Sequence, residues 1–193
     1  TKRTETLAVA KSAMQYSCSR LNHDGSWFYG EDPKYHWIDN FHTAYNLDSL
    51  KRYQESTGDR EYDDQLKTGF DYFKKTFFEI DGRSRYYHDR VFPTDIQCAA
   101  QAVDTLSFFA DVDDQSLALA QKVASWTIEH MQDPDGHFYY RDLDWIMIKT
   151  PMLHWGQGTM FKALAHLSSV QQKKRASAPA ENSHKMNPES VSN

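Results

Sequence analysis

Apolar positions along the chain fall into two alternating helical patterns. Residues 5–21 carry Leu7, Ala10, Met14, Cys18 and Leu21 on one stripe, with Lys11, Gln15 and Ser19 elsewhere, the spacing of an amphipathic helix. A second helix is expected over about 39–54, where Phe41, Ala44, Tyr45, Leu47, Leu50 and Tyr53 cover a broad face. The third is striped by Tyr62, Leu66, Phe70, Phe73 and Phe77, with Asp59 its expected N-cap. Residues 93–97 open the fourth, Thr94 and Gln97 spaced as a capping box, and its body over 98–106 is small and apolar on several sides. Asp113 and Asp114 start the fifth, striped by Leu117, Ala120, Ala124, Thr127 and Met131. The sixth, about 154–169, carries Met160, Phe161, Ala163, Leu164 and Leu167. Single stripes on odd helices and broader apolar faces on even ones predict outer helices wrapped around inner ones. The expected fold is all-α: repeated αα-hairpins in a curved array of the α/α-toroid type.

Turn chemistry supports a repeat. Asp24-Gly25, Asp81-Gly82 and Asp135-Gly136 lie 57 and 54 residues apart. Each is followed by aromatics (Trp27, Phe28 and Tyr29; Tyr86 and Tyr87; Phe138, Tyr139 and Tyr140), then a polar loop, then an inner helix. Strand signals are weak apart from short pieces after each turn. Residues 1–170 read as one helical domain. From Gln171 on, large apolar residues are nearly absent, so 171–193 are expected to form a disordered polar tail.

Bulk properties narrow the function classes. A chain of 193 residues is long enough for one domain with a real core. Net charge −5 and a pI near 6.0 argue against a general nucleic-acid binder, which needs a basic face. No run approaches a membrane span and no signal peptide is visible, although the chain begins at Thr1 rather than Met. Cys18 and Cys98 sit in helical, apolar contexts and read as buried thiols, which fits a reducing, cytoplasmic setting. Aromatic residues make up 14% of the chain and crowd the loops as well as the helices, which suits stacking on flat ligand faces, sugar rings included.

The block 35–50, the block 93–102, and Arg141 followed by 154–160 resemble a functionally unassigned group of bacterial and archaeal proteins. That group is related to the six-hairpin (α/α)6-toroid carbohydrate-active enzymes and, more distantly, to the glucuronyl C5-epimerase catalytic domain. The resemblance covers roughly residues 5–170 and implies a carbohydrate-active protein; it carries no established catalytic residue onto this chain. Three hairpins are half of a six-hairpin toroid. The alternatives are an open array, a chain lacking its N-terminal half, or a homodimer that completes the ring.

Aligned on their Asp-Gly turns, the repeats put Asp39, Asp95 and His154 near the starts of the three inner helices, with His42, Gln97 and Gln157 beside them. Tyr35, His36, Trp37, Arg85, Tyr87, His88, Arg141, Trp145 and Trp155 lie in or next to the loops expected to gather at that end. Acidic, imidazole and guanidinium groups among Trp and Tyr suit a saccharide or polysaccharide. Asp39, Asp95, His42 and His154 are the catalytic candidates and the others the substrate-binding candidates. Helix capping alone accounts for Asp39, Thr94 and Gln97 but not for the excess of Trp and His. A glycosidase needs two carboxylates across the scissile bond, which Asp39 and Asp95 supply by type. An epimerase or lyase instead uses Tyr or His as acid or base at a carbon next to a carboxylate, with Tyr87, His88 and His42 as candidates. Asp95, Cys98 and His154 have zinc-ligand chemistry, yet a buried helical thiol accounts for Cys98, so no metal and no cofactor is assigned. The contrasting reading is a non-catalytic helical scaffold that recognises a protein or a glycan.

Overall fold

The structure, a computed structural model, describes residues 2–177. Its helices are α1 (Lys2–Ser19), α2 (Asn40–Thr57), α3 (Asp63–Thr76), α4 (Ile96–Phe108), α5 (Asp114–Met131) and α6 (Thr159–Ser177). In chain order they form three αα units, α1–α2, α3–α4 and α5–α6, with α3 packed on α2 of the unit before it. The central inner helix α4 packs against α2, α5 and α6. Because α4 is covered from three sides, its apolar residues need no polar face, and Ile96, Cys98, Ala99, Ala102, Val103 and Leu106 are fully buried. Phe73, Phe77, Leu47, Met131 and Met160 fill the space around it, and Phe70 stacks on Phe109 at 4.0 Å.

The three Asp-Gly turns are built alike. Oδ1 of Asp24, Asp81 and Asp135 accepts the backbone N–H two residues on, from Ser26, Arg83 and His137 at 3.0, 2.9 and 3.0 Å. The following glycines all take left-handed backbone, with φ of 91°, 102° and 101°. The turns lead into extended loops that pair across the hairpins. Asp39 bridges to Tyr87, and three two-residue strands, β1 (Thr94–Asp95), β2 (Arg141–Asp142) and β3 (Met147–Ile148), form an antiparallel sheet in that order. This small sheet and the Asp39 bridge lie beside the starts of α2 and α4.

Local details differ from expectation in four places. Asp59 does not cap α3, whose N-cap is Tyr62; its carboxylate takes the Glu61 N–H, the Tyr53 hydroxyl and Lys11 instead. The cap of α4 is Asp95, one residue after Thr94: its carboxylate takes the Gln97 N–H, while the Thr94 hydroxyl is buried without a hydrogen-bond partner. The third inner helix is entered through a π-helical segment, Leu153–Gly158. The boundary expected near 170 falls inside α6, which runs to Ser177. The rest of the expected tail lies outside the described residues. Both cysteines are free thiols, Cys98 buried and Cys18 half-buried.

Candidate functional site

Asp39 and Asp95 hold the same position in successive repeats, each an extended residue that caps an inner helix. The Asp39 carboxylate accepts the backbone N–H of His42 at 3.0 Å, and Asp95 that of Gln97 at 2.8 Å. Both residues are 2% exposed. Their remaining partners differ. Asp39 also accepts the His42 Nδ1–H at 2.9 Å and the Trp37 indole N–H at 3.2 Å. Because a carboxylate only accepts, Nδ1 carries the proton and Nε2 is left for another group. Asp95 instead meets Arg141, whose Nε and Nη2 approach the same oxygen at 2.7 and 2.6 Å. Burial pushes the Asp95 carboxyl above its ordinary pKa, against the opposing pull of Arg141.

Tyr86 lies between the two. Its carbonyl accepts the Asn40 N–H at 2.9 Å, its ring packs edge-on to Phe41 at 5.6 Å, and Arg141 lies over it at 5.4 Å. Burial, then the nearby Cys98, Asp39, Tyr87 and Asp95, raise its hydroxyl pKa. Cys98 shares this neighbourhood, and burial raises its thiol pKa as well.

Aromatic rings wall the Asp39 side. Tyr29 stacks on Trp37 at 4.4 Å and meets His42 edge-on at 4.7 Å, and Phe28 stacks on His36 at 4.1 Å. Tyr35 packs edge-on against Trp37. Gln97 links α4 to α2 by donating to the Tyr45 hydroxyl at 3.3 Å. A cavity of about 170 Å³ is lined by Asp39, His42, Thr43, Asn46 and the aromatic residues around them. It adjoins a groove of about 500 Å³ that shares Trp27, Phe28, Tyr29 and Asn46 and runs out to Tyr16 and Arg20. Arg20 there is paired with Glu31. On the other side of Trp37, Tyr87 and His88 line a further cavity of about 340 Å³ with His36 and Arg90.

The structure thus brings together Tyr35, His36, Trp37, Asp39, His42, Tyr87, His88, Asp95, Gln97 and Arg141. It does not bring in the others. Arg85 pairs with Glu79 at 2.5 Å within its own turn. Gln157 is spent on the Phe138 backbone, accepting its N–H at 2.8 Å and donating to its C=O at 2.7 Å. His154 and Trp155 are exposed on the π-helical segment, and Trp145 is 80% exposed at the tip between β2 and β3. Asp95, Cys98 and His154 do not gather within ligating reach of one another; among the described residues only Asp133, Asp135 and His137 do, in the third turn. Tyr86, Phe28, Tyr29 and Tyr45 are the site residues that reading for acids, bases and histidines passes over. The signal that marks the first three is their recurrence just after an Asp-Gly turn.

No family model matches the chain, and no curated protein does. Solved structures match over most of its length. Cellobiose 2-epimerase from Bacillus thermoamylovorans B4167 superposes with a TM-score of 0.72 at 9% identity, over 89% of this chain and 52% of that one. Unsaturated glucuronyl hydrolase from Bacillus sp. GL1 gives 0.69 at 14% identity, over 91% and 51%. Cellobiose 2-epimerase from Spirochaeta thermophila DSM 6192 gives 0.67 at 15%, over 89% and 51%. The fold is of the α/α-toroid type. The chain spans about half the length of the solved structures it matches, and at these identities the likeness speaks for the fold alone. No helix among the described residues is long and apolar enough to cross a membrane.

Proposed function

We propose that this chain binds a saccharide at the mouth where its turn-to-helix loops meet the starts of α2 and α4, and that Asp39 and His42 are its acid/base pair. The carrying observation is the buried Asp39 carboxylate, which fixes the His42 imidazole at Nδ1 beside a cavity walled by aromatic rings. Such a cavity offers apolar ring faces to the C–H faces of a sugar and a few fixed polar groups to its hydroxyls. The toroid enzymes named above, epimerases and a glycosidase by name, support a sugar as the ligand class.

Between the two chemistries, the state of Asp95 favours an epimerase-like one. Hydrolysis requires a second carboxylate facing the bond, whereas one Asp95 oxygen accepts from Gln97 and the other is clamped by Arg141. An epimerase-like proton transfer would have His42 Nε2, held by Asp39, take a proton from a carbon acidified by a neighbouring carbonyl or carboxylate, and a second group, for which Tyr87 and His88 are the candidates, return one to the opposite face. The test is calorimetric titration of the chain with neutral sugars, uronic acids and nucleotide sugars, beside His42→Ala and Asp39→Asn. Binding of one class that both variants lose supports the mouth as the site. Binding that both variants retain refutes it.

One observation favours a scaffold role alongside. The far edge of the array leaves Leu153 and Phe161 74% and 77% exposed, an uncovered apolar face of the kind that assembles with another helix. Loss of assembly without loss of sugar binding in Phe161→Ser would separate that role from the mouth.

A further inference from the structure

The middle Asp-Gly turn departs from its two congruent copies at the core. Three residues after the aspartate, the first and third turns place an aromatic, Trp27 and Phe138, in the hydrophobic core. The middle turn places Ser84 there, 1% exposed. Two positions beside the capping aspartates show the same exchange. Directly after the cap stand Asn40 in the first repeat and Ile96 in the second; directly before it stand Ile38 and Thr94. All four are buried, and the two isoleucines belong to the same hydrophobic core. At each of these positions one repeat has an apolar core residue where another has a polar one.

The three polar residues converge on the middle turn. The Asn40 N–H is accepted by the Tyr86 carbonyl at 2.9 Å, as the Ile96 N–H is by the Tyr140 carbonyl at 3.1 Å. Asn40 thus stands against 84–86 as Ile96 stands against 138–140. Ile38 lines a cavity with Asp24, Ser26 and Phe28 of its own turn. Thr94, in the place of Ile38, stands at the corresponding turn, 81–85. The first turns of α2 and α4 meet here, the backbone of Phe41 reaching the Cys98 thiol. Among the described residues, Nδ2 and Oδ1 of Asn40, Oγ of Ser84 and Oγ1 of Thr94 are buried with no hydrogen-bond partner. Buried amides and hydroxyls are almost always paired, and where no protein group serves, an internal water does. Uncharged donors and acceptors suit water rather than an ion, and serine in the place of an aromatic leaves it room.

We propose that Asn40, Ser84 and Thr94 hold internal water, about one or two molecules, sealed between the middle turn and the starts of α2 and α4. The water joins the residue after one capping aspartate to the residue before the other. It therefore ties together the two loops that present Asp39 and Asp95, in place of the apolar packing that other repeats use. The amides these aspartates cap, His42 and Gln97, rest on that tie.

The test combines nuclear magnetic resonance on the full chain with thermal unfolding of variants. The Asn40 side-chain amide should show a rotating-frame cross-peak to water, opposite in sign to proton exchange, as a long-lived bound molecule gives. Thr94→Val, which keeps the shape and removes the hydroxyl, should weaken that cross-peak and speed amide exchange at His42 and Gln97. Asn40→Leu, Ser84→Ala and Thr94→Val should each lower the unfolding temperature. The triple variant should lose less than the three single losses together, because it leaves no partner orphaned. No water cross-peak at Asn40 in the parent chain would overturn the proposal, whatever the variants do. Losses that simply add would overturn it too, since residues sharing a water are coupled.

Discussion

Asp39 and Asp95 occupy one repeat position and do different things. Each caps an inner helix and each is almost fully buried. Asp95 is met by a guanidinium brought 46 residues along the chain, and its charge is neutralised on the spot. Asp39 is met by an imidazole three residues on and by an indole, and it borders a cavity. The same sequence feature thus serves as a clamp in the second hairpin and as a fixed acceptor beside open space in the first. What separates the roles is the further partner, Arg141 of β2 for Asp95 against His42 of α2 and Trp37 for Asp39, since the cap itself is common to both.

The largest expected effect breaks the clamp. Arg141→Ala leaves the Asp95 carboxylate buried without its counter-charge and should cost about 3–5 kcal/mol in urea unfolding at pH 7. The result should be accompanied by loss of the β1–β2 pairing, read as faster amide exchange at Ile96, whose N–H is accepted by the Tyr140 carbonyl. An Arg141→Ala chain as stable as the parent would put the two aspartates back on equal terms.

A third buried carboxylate sharpens the comparison. Asp48, nine residues along α2 from Asp39, accepts from Gln101 at 3.0 Å and faces Thr105 and Asp104 of α4 and Arg52 of its own helix. Burial, reinforced by Asp104, raises its pKa from 3.8 to about 6. Asp104 is the counter-case: burial works to raise it, but contacts with His166 at 2.8 Å and Lys162 at 2.7 Å from α6 outweigh that and hold it low. Between pH 4 and 6 the folded state therefore keeps the Asp48 proton that the unfolded chain has lost. Stability from this group falls as pH rises through that window and stays reduced above it. Asp48→Asn should remove the fall, gaining on the order of 2–3 kcal/mol at pH 7.5 and nothing near pH 3.5. Equal pH profiles in variant and parent would contradict this.

Smaller effects are expected on the Asp39 side. Asp39→Asn keeps a capping side chain, so stability should change by about 1 kcal/mol or less, while sugar affinity falls at least tenfold through the loss of His42 orientation. Phe28→Ala, in the groove beyond the cavity, should weaken binding of a tetrasaccharide about threefold more than that of a monosaccharide. Equal losses for both would confine the site to the small cavity.

Much of this layout is legible in the sequence because it is local. Asp-Gly turns followed by aromatics mark the three hairpins, and the alternation of single-stripe and broadly apolar helices marks outer and inner layers. Asp39 and Asp95 can be read as caps because the bond spans two or three residues. Contacts made over long separations are not legible: Arg141 with Asp95, Gln97 with Tyr45, and the Asp48, Gln101 and Asp104 row against Lys162 and His166. Alignment on the turns fails in the third repeat, where the β2–β3 hairpin and the π-helical entry carry His154 and Gln157 away from the position held by Asp39 and Asp95. Thr94 fits a capping box by spacing, yet the carboxylate one residue on takes the Gln97 N–H and makes Asp95 the cap.

The measurement that bears most directly on the sugar site is calorimetric titration of the parent chain, Asp39→Asn and Asp95→Asn with a panel of glucose, cellobiose, glucuronic acid and an unsaturated glucuronyl disaccharide. One of these is expected to bind the parent. Asp39→Asn should abolish the binding heat while the protein stays folded, and Asp95→Asn should lose stability before it loses affinity. Binding that survives Asp39→Asn unchanged, or no heat from any of the four sugars, would contradict a saccharide site built on Asp39 and His42.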